Sequence, residues 1–334
     1  MTESSLTAAA DDAARVPSAT TVRKDVSFRS GGEHIAAWFY PAAGASCRAP
    51  CVVMGHGFAA VKEARLDAFA ERFAAAGLSC LVFDYRHFGA SGAEPRQVID
   101  LRHQREDWRA AIRFARSLAE VDPARMGVWG TSLGGGLALE VAAREPGIGA
   151  AVFHLPLVDA LAAGLSEGIV HDVRLAWAAV CDLARSVVGR TPYLVPAVGP
   201  RGALAFMDTP GSEPGYQAIV RDAPAWRNAV AARVFFGLAF FRPLRLARRL
   251  RCPALFVIGE RDVVTPPAAS HRAARLAPDA RVYALPVGHF DAYLGDAFEE
   301  TVAVEAAFLA HQLGARPQTS RTAAPDAVPM DARA

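Results

Sequence analysis

The strongest candidate for chemistry in this sequence is a serine inside a glycine-flanked motif. Residues 130–134 read Gly-Thr-Ser-Leu-Gly, the pattern G-x-S-x-G, in which a serine lies on a sharp turn between a strand and a helix. The apolar run at residues 126–129 predicts the strand, and the run at residues 133–143 predicts the helix. Such a turn leaves no room for side chains two residues before or after the serine, and glycine occupies both positions. This context predicts that Ser132 is a nucleophile.

His289 is the predicted base for that serine. A serine hydroxyl becomes a strong nucleophile only when a base removes its proton, so a histidine is required. Chains with this motif carry the serine first, then the acid, then the histidine. Of the nine histidines, three follow the strand predicted at residues 254–258, and two of these, His271 and His311, lie within predicted helices. His289 lies in a loop after the strand predicted at residues 281–285.

The acid that orients the histidine is predicted to be Asp262. It follows the strand at residues 254–258, and its separation from His289 leaves room for one helix and one strand. Glu260 is the second candidate, but it lies closer to the strand end and its side chain is longer. Asp291, just after the histidine, is the third. For Glu260 and Asp291 a structural role is favoured.

Two backbone amides are predicted to stabilise the negative oxygen of a tetrahedral intermediate. One belongs to Leu133, the residue after the serine, and the other to Phe58 in the loop Gly-His-Gly-Phe that follows the strand predicted at residues 51–54. The histidine of that loop, His56, precedes the serine in the chain, so a hydrogen bond that orders the loop is favoured over a role as base. The turn at residues 84–89, Asp-Tyr-Arg-His-Phe-Gly, is interpreted as a salt-bridged turn beneath the site.

Strands and helices alternate along most of the chain. Strands are predicted at residues 26–28, 35–40, 51–54, 81–83, 126–129, 150–153, 254–258 and 281–285. Helices are predicted at residues 65–76, 98–118, 133–143, 268–276 and 298–313. Alternation of this kind indicates βαβ units, and therefore an α/β fold with a mostly parallel central sheet and helices on both faces.

The alternation stops at residues 155–250, a stretch rich in Ala, Leu and Phe. We interpret this stretch as a helical cap inserted into one core, which is formed by residues 21–154 and 251–314. Residues 1–20 and 315–334 lack apolar periodicity and are predicted to be disordered tails.

Two features mark the end of the predicted cap. Phe235, Phe236 and Phe240 are candidate substrate-binding residues, together with Phe241, and core packing is the alternative for them. A basic stretch follows, with arginines at positions 242, 245, 248, 249 and 251. An apolar run beside a basic run can lie on a membrane surface, but a buried helix with a solvated edge is favoured here.

Composition narrows the class of protein. The 334 residues are 52% hydrophobic and 21% charged, which indicates a globular protein with a large core. Lys and Arg number 36 against 34 Asp and Glu, a net charge of +2, so no nucleic-acid partner is expected. The five cysteines show no CxxC spacing and the histidines do not cluster, so neither disulfides nor a metal site is predicted, and the chemistry needs no cofactor. No secretory signal or membrane-spanning run is visible, and the cytoplasm is the expected compartment.

With these motifs, residues 22–313 resemble the α/β-hydrolase superfamily. The serine motif, the Gly-His-Gly-Phe loop, the turn at 84–92 and the loops that carry Asp262 and His289 all stand where that superfamily has them. The chain is most similar to the branch that contains dienelactone-hydrolase-like proteins, acetyl xylan esterases and X-Pro dipeptidyl-peptidase or cocaine-esterase relatives. Residues 56–58, His-Gly-Phe, and 83–86, Phe-Asp-Tyr-Arg, also resemble a subgroup with fungal polyketide transferases.

Two departures limit what this resemblance implies. Dienelactone hydrolases proper use a cysteine nucleophile, whereas this chain has Ser132. The large peptidases of the branch carry an extra jelly-roll domain, for which residues 315–334 are too few.

The predicted reaction is hydrolysis of a small-molecule ester or thioester with an apolar acyl group, through an acyl-serine intermediate. Within the same chemistry, the alternative is transfer of a polyketide or fatty acyl group to an alcohol or amine, with an acyl carrier protein that meets the basic stretch as a candidate partner. An alternative of another class is a non-catalytic ligand-binding protein on the same fold, because fold does not dictate function.

Overall fold

The computed structural model describes residues 22–45, 47–164 and 169–315. The predicted tails at residues 1–20 and 315–334 therefore lie outside the described residues, except for Ala315. The strands of the main sheet are β1 Lys24–Ser30, β2 Glu33–Tyr40, β3 Ala49–Gly55, β4 Ser79–Phe83, β5 Val121–Thr131, β6 Ile148–His154, β9 Ala254–Gly259 and β10 Ala280–Leu285. Between β6 and β9 lie two short strands, β7 Leu194–Val195 and β8 Val230–Ala231.

The eight long strands form one sheet in the order β1-β2-β4-β3-β5-β6-β9-β10. From β4 to β10 all neighbours are parallel, whereas β1 and β2 form an antiparallel edge. Gly31 and Gly32, both with positive φ (57° and 86°), form the tight turn between β1 and β2. The predicted mostly parallel α/β sheet is confirmed.

The long helices flank this sheet. They are α1 Leu66–Ala75, α2 Leu101–Ser117, α3 Leu133–Ala142, α8 Pro267–Leu276 and α9 Gly295–Leu313. Strands β3 and β9 are buried along their whole length, which explains why their sequences are continuous apolar runs without polar alternation. The helix that follows the serine motif, α3, is also buried at every residue. The serine motif therefore lies between the buried second half of β5 and the fully buried helix α3.

The chain leaves the sheet after β6 and returns to the neighbouring strand, since β6 pairs with β9. The intervening residues 155–253, here called the insertion, contain the helices α4 Ala160–Gly164, α5 Ile169–Val187, α6 Ser212–Ile219 and α7 Val234–Ala239, and the 3-10 turn Pro243–Arg249. The sequence predicts a helical segment here, but the insertion also contains the short antiparallel pair β7–β8, whose two strands are separated by α6. The proline and glycine residues between 192 and 214 explain why helix gives way there.

A buried carboxylate holds the insertion together. Asp182 on α5 accepts hydrogen bonds from Arg233 Nε (2.6 Å) and Nη2 (2.8 Å) and from the Tyr193 amide (2.7 Å). It thereby ties α5 to the start of β7 and to the start of α7. No helix in the described part of the chain has the length and apolar character needed to cross a membrane.

Candidate active site

The serine motif forms a strained turn at the carboxyl end of β5. Ser132 has φ 53° and ψ −123°, a conformation that side-chain-bearing residues rarely adopt. A side chain at Gly130 would collide with the Gly134 backbone, and one at Gly134 would collide with the His56 backbone. The Ser132 amide donates to the His154 carbonyl at 3.0 Å, which ties the turn to β6.

Three side chains that are far apart in sequence meet at this turn. The distance from Ser132 Oγ to His289 Nε2 is 3.2 Å, and the distance from His289 Nδ1 to Asp262 Oδ2 is 2.6 Å. All three residues are buried. With Nδ1 donating to the carboxylate, Nε2 presents its lone pair to the serine hydroxyl. The arrangement is suited to moving a proton from Ser132 to His289.

The Asp262 carboxylate is held by more than the histidine. Its Oδ1 accepts from the amides of Val264 (2.8 Å) and Thr265 (2.7 Å), and its Oδ2 accepts from Thr265 Oγ1 (2.6 Å). Burial raises the pKa of Asp262, but attraction to His289 and the hydrogen bonds from His289 and Thr265 outweigh it, so the pKa lies below its usual value. The carboxylate is therefore negatively charged at neutral pH. Sequence reasoning missed Thr265, which the short spacing after Asp262 could have indicated as a turn partner.

The two other candidate acids lie elsewhere. Glu260 Oε1 contacts His271 Nε2 at 2.8 Å on the protein surface. Asp291 Oδ2 accepts from the Gly288 amide at 2.8 Å and so closes the loop that carries His289. Both acids have the structural roles that were favoured for them.

The loop after β3 packs directly against Ser132. A Cβ atom at Gly57 would lie 3.1 Å from Ser132 Cβ and 3.6 Å from Ser132 Oγ, so only glycine fits without displacement. The next residue, Phe58, lines the same cavity as Ser132, and no described residue accepts a hydrogen bond from its amide. Leu133 is the first residue of α3, and the first amides of a helix lack an acceptor within the helix. Two unpaired donors are thus available beside the serine.

His56 orients the peptide that carries one of these donors. Its Nδ1 lies 3.0 Å from the Gly57 carbonyl oxygen, which belongs to the same planar peptide unit as the Phe58 amide. Because carbonyl and N–H point in opposite directions across that unit, fixing one fixes the other. Burial lowers the pKa of His56 to about 4, so the ring is neutral and donates through Nδ1–H at neutral pH. The predicted loop-ordering role is consistent with this contact.

The insertion reaches down to the same loop. Tyr216 on α6 donates to the Phe58 carbonyl at 2.6 Å, and Trp226 Nε1 donates to the Ala59 carbonyl at 3.1 Å. The two rings stack with centroids 5.3 Å apart, and Tyr216 also packs on Phe290, the residue after His289, at 5.6 Å. Helix α6 therefore contacts both the loop that follows β3 and the loop that carries His289.

A cavity of about 170 Å³ opens beside Ser132. Its wall is mainly apolar and comes from both the core and the insertion, including Phe58, Leu175, Met207 and Phe235. Of the three predicted substrate-binding phenylalanines, only Phe235 lines it.

Phe236 and Phe240 line a different groove, together with residues 98–103 of the core. Each residue of a helix is rotated by about 100° from the one before, so Phe236 points away from the cavity that Phe235 faces. Phe240, just past the end of α7, is 85% exposed. The prediction that these two residues contact substrate is corrected accordingly. Phe241 is buried against Gly136 of α3 and is a packing residue.

Ion pairs brace the turn after β4. The fully buried Asp84 accepts from Lys62 Nζ at 2.6 Å and from the Lys62 amide at 2.7 Å, and Arg86 pairs with the buried Asp107 at 2.6 Å. The interpretation of residues 84–89 as a salt-bridged turn is confirmed.

A second buried polar cluster, which sequence reasoning missed, supports the serine turn. His154 Nδ1 lies 2.8 Å from Glu305 Oε1, and Trp129 Nε1 donates to Glu305 Oε2 at 2.9 Å. Trp129 belongs to β5, His154 ends β6 and Glu305 is on α9, so one carboxylate links the last helix to both strands. Thr131 and Tyr293 are also hydrogen-bonded beside it. His154 and Glu305 are 151 positions apart, so no local sequence pattern indicates that they pair.

The basic stretch lies away from the serine. Arg242 pairs with Asp159 at 2.7 Å. Arg248, Arg249 and Arg251 line a groove with Ala143, at the far end of α3 from Ser132, and immediately precede β9. They therefore lie at the amino edge of the sheet, whereas Ser132 lies at the carboxyl edge.

Comparison with known proteins agrees with this architecture. The family model described as serine aminopeptidase, S33, matches residues 47–286. The chain belongs to this α/β-hydrolase family. This match confirms the predicted α/β-hydrolase superfamily, which is a superfamily of enzymes.

The chain is similar in sequence to two proteins from other organisms and in fold to a solved structure. The quorum-quenching protein AidA of Acinetobacter baumannii (strain MDR-ZJ06) is 37% identical over 285 residues, which cover 85% of this chain and 93% of that protein. The polyketide transferase grgF of a Penicillium species is 29% identical over 256 residues, covering 74% and 82%. The crystal structure of the α/β-hydrolase GrgF from Penicillium sp. sh18 matches 88% of this chain and 99% of its own with a TM-score of 0.76 and 27% identity. The resemblance to polyketide transferases is confirmed.

Proposed function

We propose that this α/β-hydrolase is a serine hydrolase that cleaves an ester or thioester of an apolar acyl group through an acyl-serine intermediate. Ser132 is the nucleophile, His289 the general base and acid, and Asp262 the group that orients the histidine. The observation that carries the proposal is the continuous hydrogen-bonded chain from Ser132 Oγ through His289 to Asp262, with contacts of 3.2 and 2.6 Å.

In the acylation step, His289 Nε2 takes the hydroxyl proton as Ser132 Oγ bonds to the carbonyl carbon of the substrate. The carbonyl electrons move to oxygen, and the resulting oxyanion accepts hydrogen bonds from the amides of Phe58 and Leu133. When the intermediate collapses, the bond to the leaving alcohol or thiol breaks. That leaving group takes the proton from His289, and the acyl group remains on Ser132.

Deacylation repeats these steps with water. His289 removes a proton from a water molecule as the water oxygen attacks the acyl carbon, and the oxyanion again lies between the two amides. Collapse then breaks the bond to Ser132 Oγ, which recovers its proton from His289. The products are a carboxylic acid and the free enzyme.

The apolar cavity beside Ser132 supports an apolar acyl group as the substrate. Leu175, Met207 and Phe235 line it, and burial of acyl methylenes against such side chains contributes about 0.8 kcal/mol per CH₂. Because much of this wall comes from the insertion, we propose that the cap, residues 155–250, acts as a lid over the acyl group.

The test is a rate series with p-nitrophenyl esters and matched thioesters of increasing acyl length. We expect kcat/KM to rise with chain length until the cavity is filled and Ser132→Ala to abolish turnover at every length. Asp222→Asn, on the exposed surface of the insertion, is a matched control that should retain the wild-type rate. A consistent preference for the shortest acyl groups would refute the apolar-pocket part of the proposal.

Acyl transfer is the second candidate function, and one of the relatives favours it, since its name is polyketide transferase. A thiohydrolase that is 31% identical over 228 residues favours hydrolysis of a thioester instead. The same acyl-serine would pass its acyl group to an alcohol or amine in place of water. Product analysis with and without an acceptor alcohol separates the two functions: transfer predicts a new ester at the expense of the free acid.

An acyl carrier protein as donor is a further proposal, and the position of the arginines limits it. Arg248, Arg249 and Arg251 lie at the sheet edge opposite Ser132, so a carrier bound there would hold its acyl group far from the serine. We therefore expect Arg248→Glu to leave turnover of a carrier-bound substrate unchanged. A large loss of rate in this variant would instead indicate that the carrier protein docks on these arginines.

A further inference from the structure

The cavity beside Ser132 contains one polar side chain that the proposed chemistry does not use. Its polar lining residues among those described are Ser132, Thr265 and Asp172. Ser132 bonds His289, and the Thr265 hydroxyl bonds Asp262, so both belong to the same hydrogen-bonded chain. Asp172 is outside that chain.

Asp172 lies in the first turn of α5, on the insertion side of the cavity and one turn from Leu175, which also lines it. It is partly buried, and no residue in the described part of the chain makes a hydrogen bond or ion pair with its carboxylate. An acyl group bound in the cavity would cover this carboxylate, which then loses hydration and, without a hydrogen-bond donor, gains nothing in exchange. A ligand group that donates a hydrogen bond would remove that penalty.

We propose that Asp172 accepts a hydrogen bond from a hydroxyl or amide N–H on the acyl part of the substrate, and thereby selects acyl groups that carry a neutral donor. This inference rests on the proposed function, since it concerns the acyl group bound next to Ser132. The substrate class becomes an ester or thioester of a mainly apolar acyl chain with one internal hydrogen-bond donor.

A neutral donor fits better than a cation. A hydroxyl or a secondary amide has one donor hydrogen, which a single carboxylate oxygen satisfies. An ammonium group has three, and the other polar side chains of the cavity are already engaged with the histidine and Asp262. The ammonium donors left over would be buried against apolar side chains without partners, at a cost in free energy.

The experiment compares p-nitrophenyl esters of straight-chain acids of equal length. One ester is unsubstituted, a series carries a single hydroxyl moved stepwise along the chain, and one carries an amino group at the best hydroxyl position. For the wild type we expect at least one hydroxyl position to raise kcat/KM by about tenfold over the unsubstituted ester, the size expected for one hydrogen bond to a charged group. The amino ester should show no such gain.

Two variants test whether Asp172 is responsible. In Asp172→Leu, the ratio of kcat/KM for the hydroxyl ester to kcat/KM for the unsubstituted ester should fall to one or below. The kcat/KM for the unsubstituted ester should itself rise. Asp172→Asn keeps an acceptor oxygen and should retain part of the preference. Asp222→Leu is the matched control, because it removes an exposed carboxylate of the same insertion, and it should keep the wild-type preference.

An acid in the first turn of a helix also stabilises that helix. Thermal melting of each variant measures this effect, which cannot change a ratio between two substrates. The inference is overturned if no hydroxyl position is preferred, if Asp172→Leu keeps the preference, or if the amino ester is the better substrate. Hydrolysis of the unsubstituted ester by the wild type, abolished by Ser132→Ala, shows separately whether the proposed function holds.

Discussion

The Asp262 carboxylate illustrates how the site depends on side chains that form no bond to substrate. It accepts hydrogen bonds from Val264, Thr265 and His289, and Thr265 supplies both its amide and its hydroxyl. These bonds fix the rotation of the carboxylate, so that Oδ2 points at His289 Nδ1. The ring is then held with Nε2 toward Ser132.

A first prediction concerns the Thr265 hydroxyl. Thr265→Val keeps the shape of the side chain but removes the 2.6 Å hydrogen bond to Asp262, so the carboxylate is less firmly oriented and its pKa rises. We expect kcat to fall about tenfold with little change in KM, because the loss affects proton transfer and not binding. Steady-state kinetics on one ester measures both constants. Thr265→Ser is the matched control, and an equal loss in the serine variant would contradict a role for the hydroxyl.

At the scale of elements, helix α6 contributes to the site from within the insertion. Tyr216 is hydrogen-bonded to the loop that offers the Phe58 amide and packs on Phe290 beside His289. Gly215 permits this approach, because a Cβ atom there would lie 2.7 Å from the Phe290 side chain. The insertion therefore helps to set the geometry of two core loops as well as lining the cavity.

A second prediction follows for Tyr216. Tyr216→Phe keeps the ring and removes the hydrogen bond to the Phe58 carbonyl, so the loop that carries the Phe58 amide should lose its fixed position. We expect kcat to fall about tenfold, less than the loss of an oxyanion donor itself, at nearly constant KM. Affinity for an alkyl boronic acid, which mimics the tetrahedral intermediate, should fall by the same factor. Tyr193→Phe, at a partly exposed tyrosine of the insertion, is the control. A change in KM alone would indicate that Tyr216 acts only on the cavity.

At the scale of the whole molecule, the loops around Ser132 are anchored by buried polar groups, and this has a consequence for stability. His56 lies within the core, and burial lowers its pKa from 6.5 to about 4. As pH falls below 6.5, the unfolded chain binds a proton at this histidine that the folded chain refuses. The free energy of unfolding therefore decreases as pH falls from 6.5 to 4. The stability that the neutral His56 contributes is complete above pH 6.5 and is lost across this interval.

A third prediction is that His56 alone makes unfolding easier by about 3 kcal/mol over this window. His56→Asn keeps a donor near the position of Nδ1 and removes the titrating ring. Chemical denaturation of both proteins at a series of pH values isolates the effect, since the carboxylates titrate alike in each. The unfolding free energy of the wild type minus that of the variant should fall by about 3 kcal/mol as pH falls from 7 to 4. A difference that does not change with pH would show that His56 binds a proton equally well in the folded and the unfolded chain.

Much of the fold and the site could be predicted from the sequence, because the signals are local. Apolar runs locate the buried strands, and the glycines around Ser132 report a turn that tolerates no side chain. Asp262 and His289 follow from chain order and from their positions after strands.

What could not be predicted depends on contacts between distant residues or on side-chain direction. His154 and Glu305 pair across 151 positions, and nothing near either residue indicates it. Composition could show that the end of the insertion is rich in phenylalanine, but not that Phe235 faces the cavity while Phe236 and Phe240 face another groove. Asp172 likewise lies at the cavity only because α5 folds over it.

The central claim is that Ser132 is a nucleophile activated by His289, and labelling with a fluorophosphonate tests it most directly. Mass spectrometry of the intact protein and of its peptides should show one adduct, located on Ser132, in the wild type. Labelling should be absent in Ser132→Ala and slowed at least a hundredfold in His289→Gln. A wild-type protein that stays unlabelled would contradict the claim and favour a non-catalytic binding protein, and an adduct on another residue would contradict it equally.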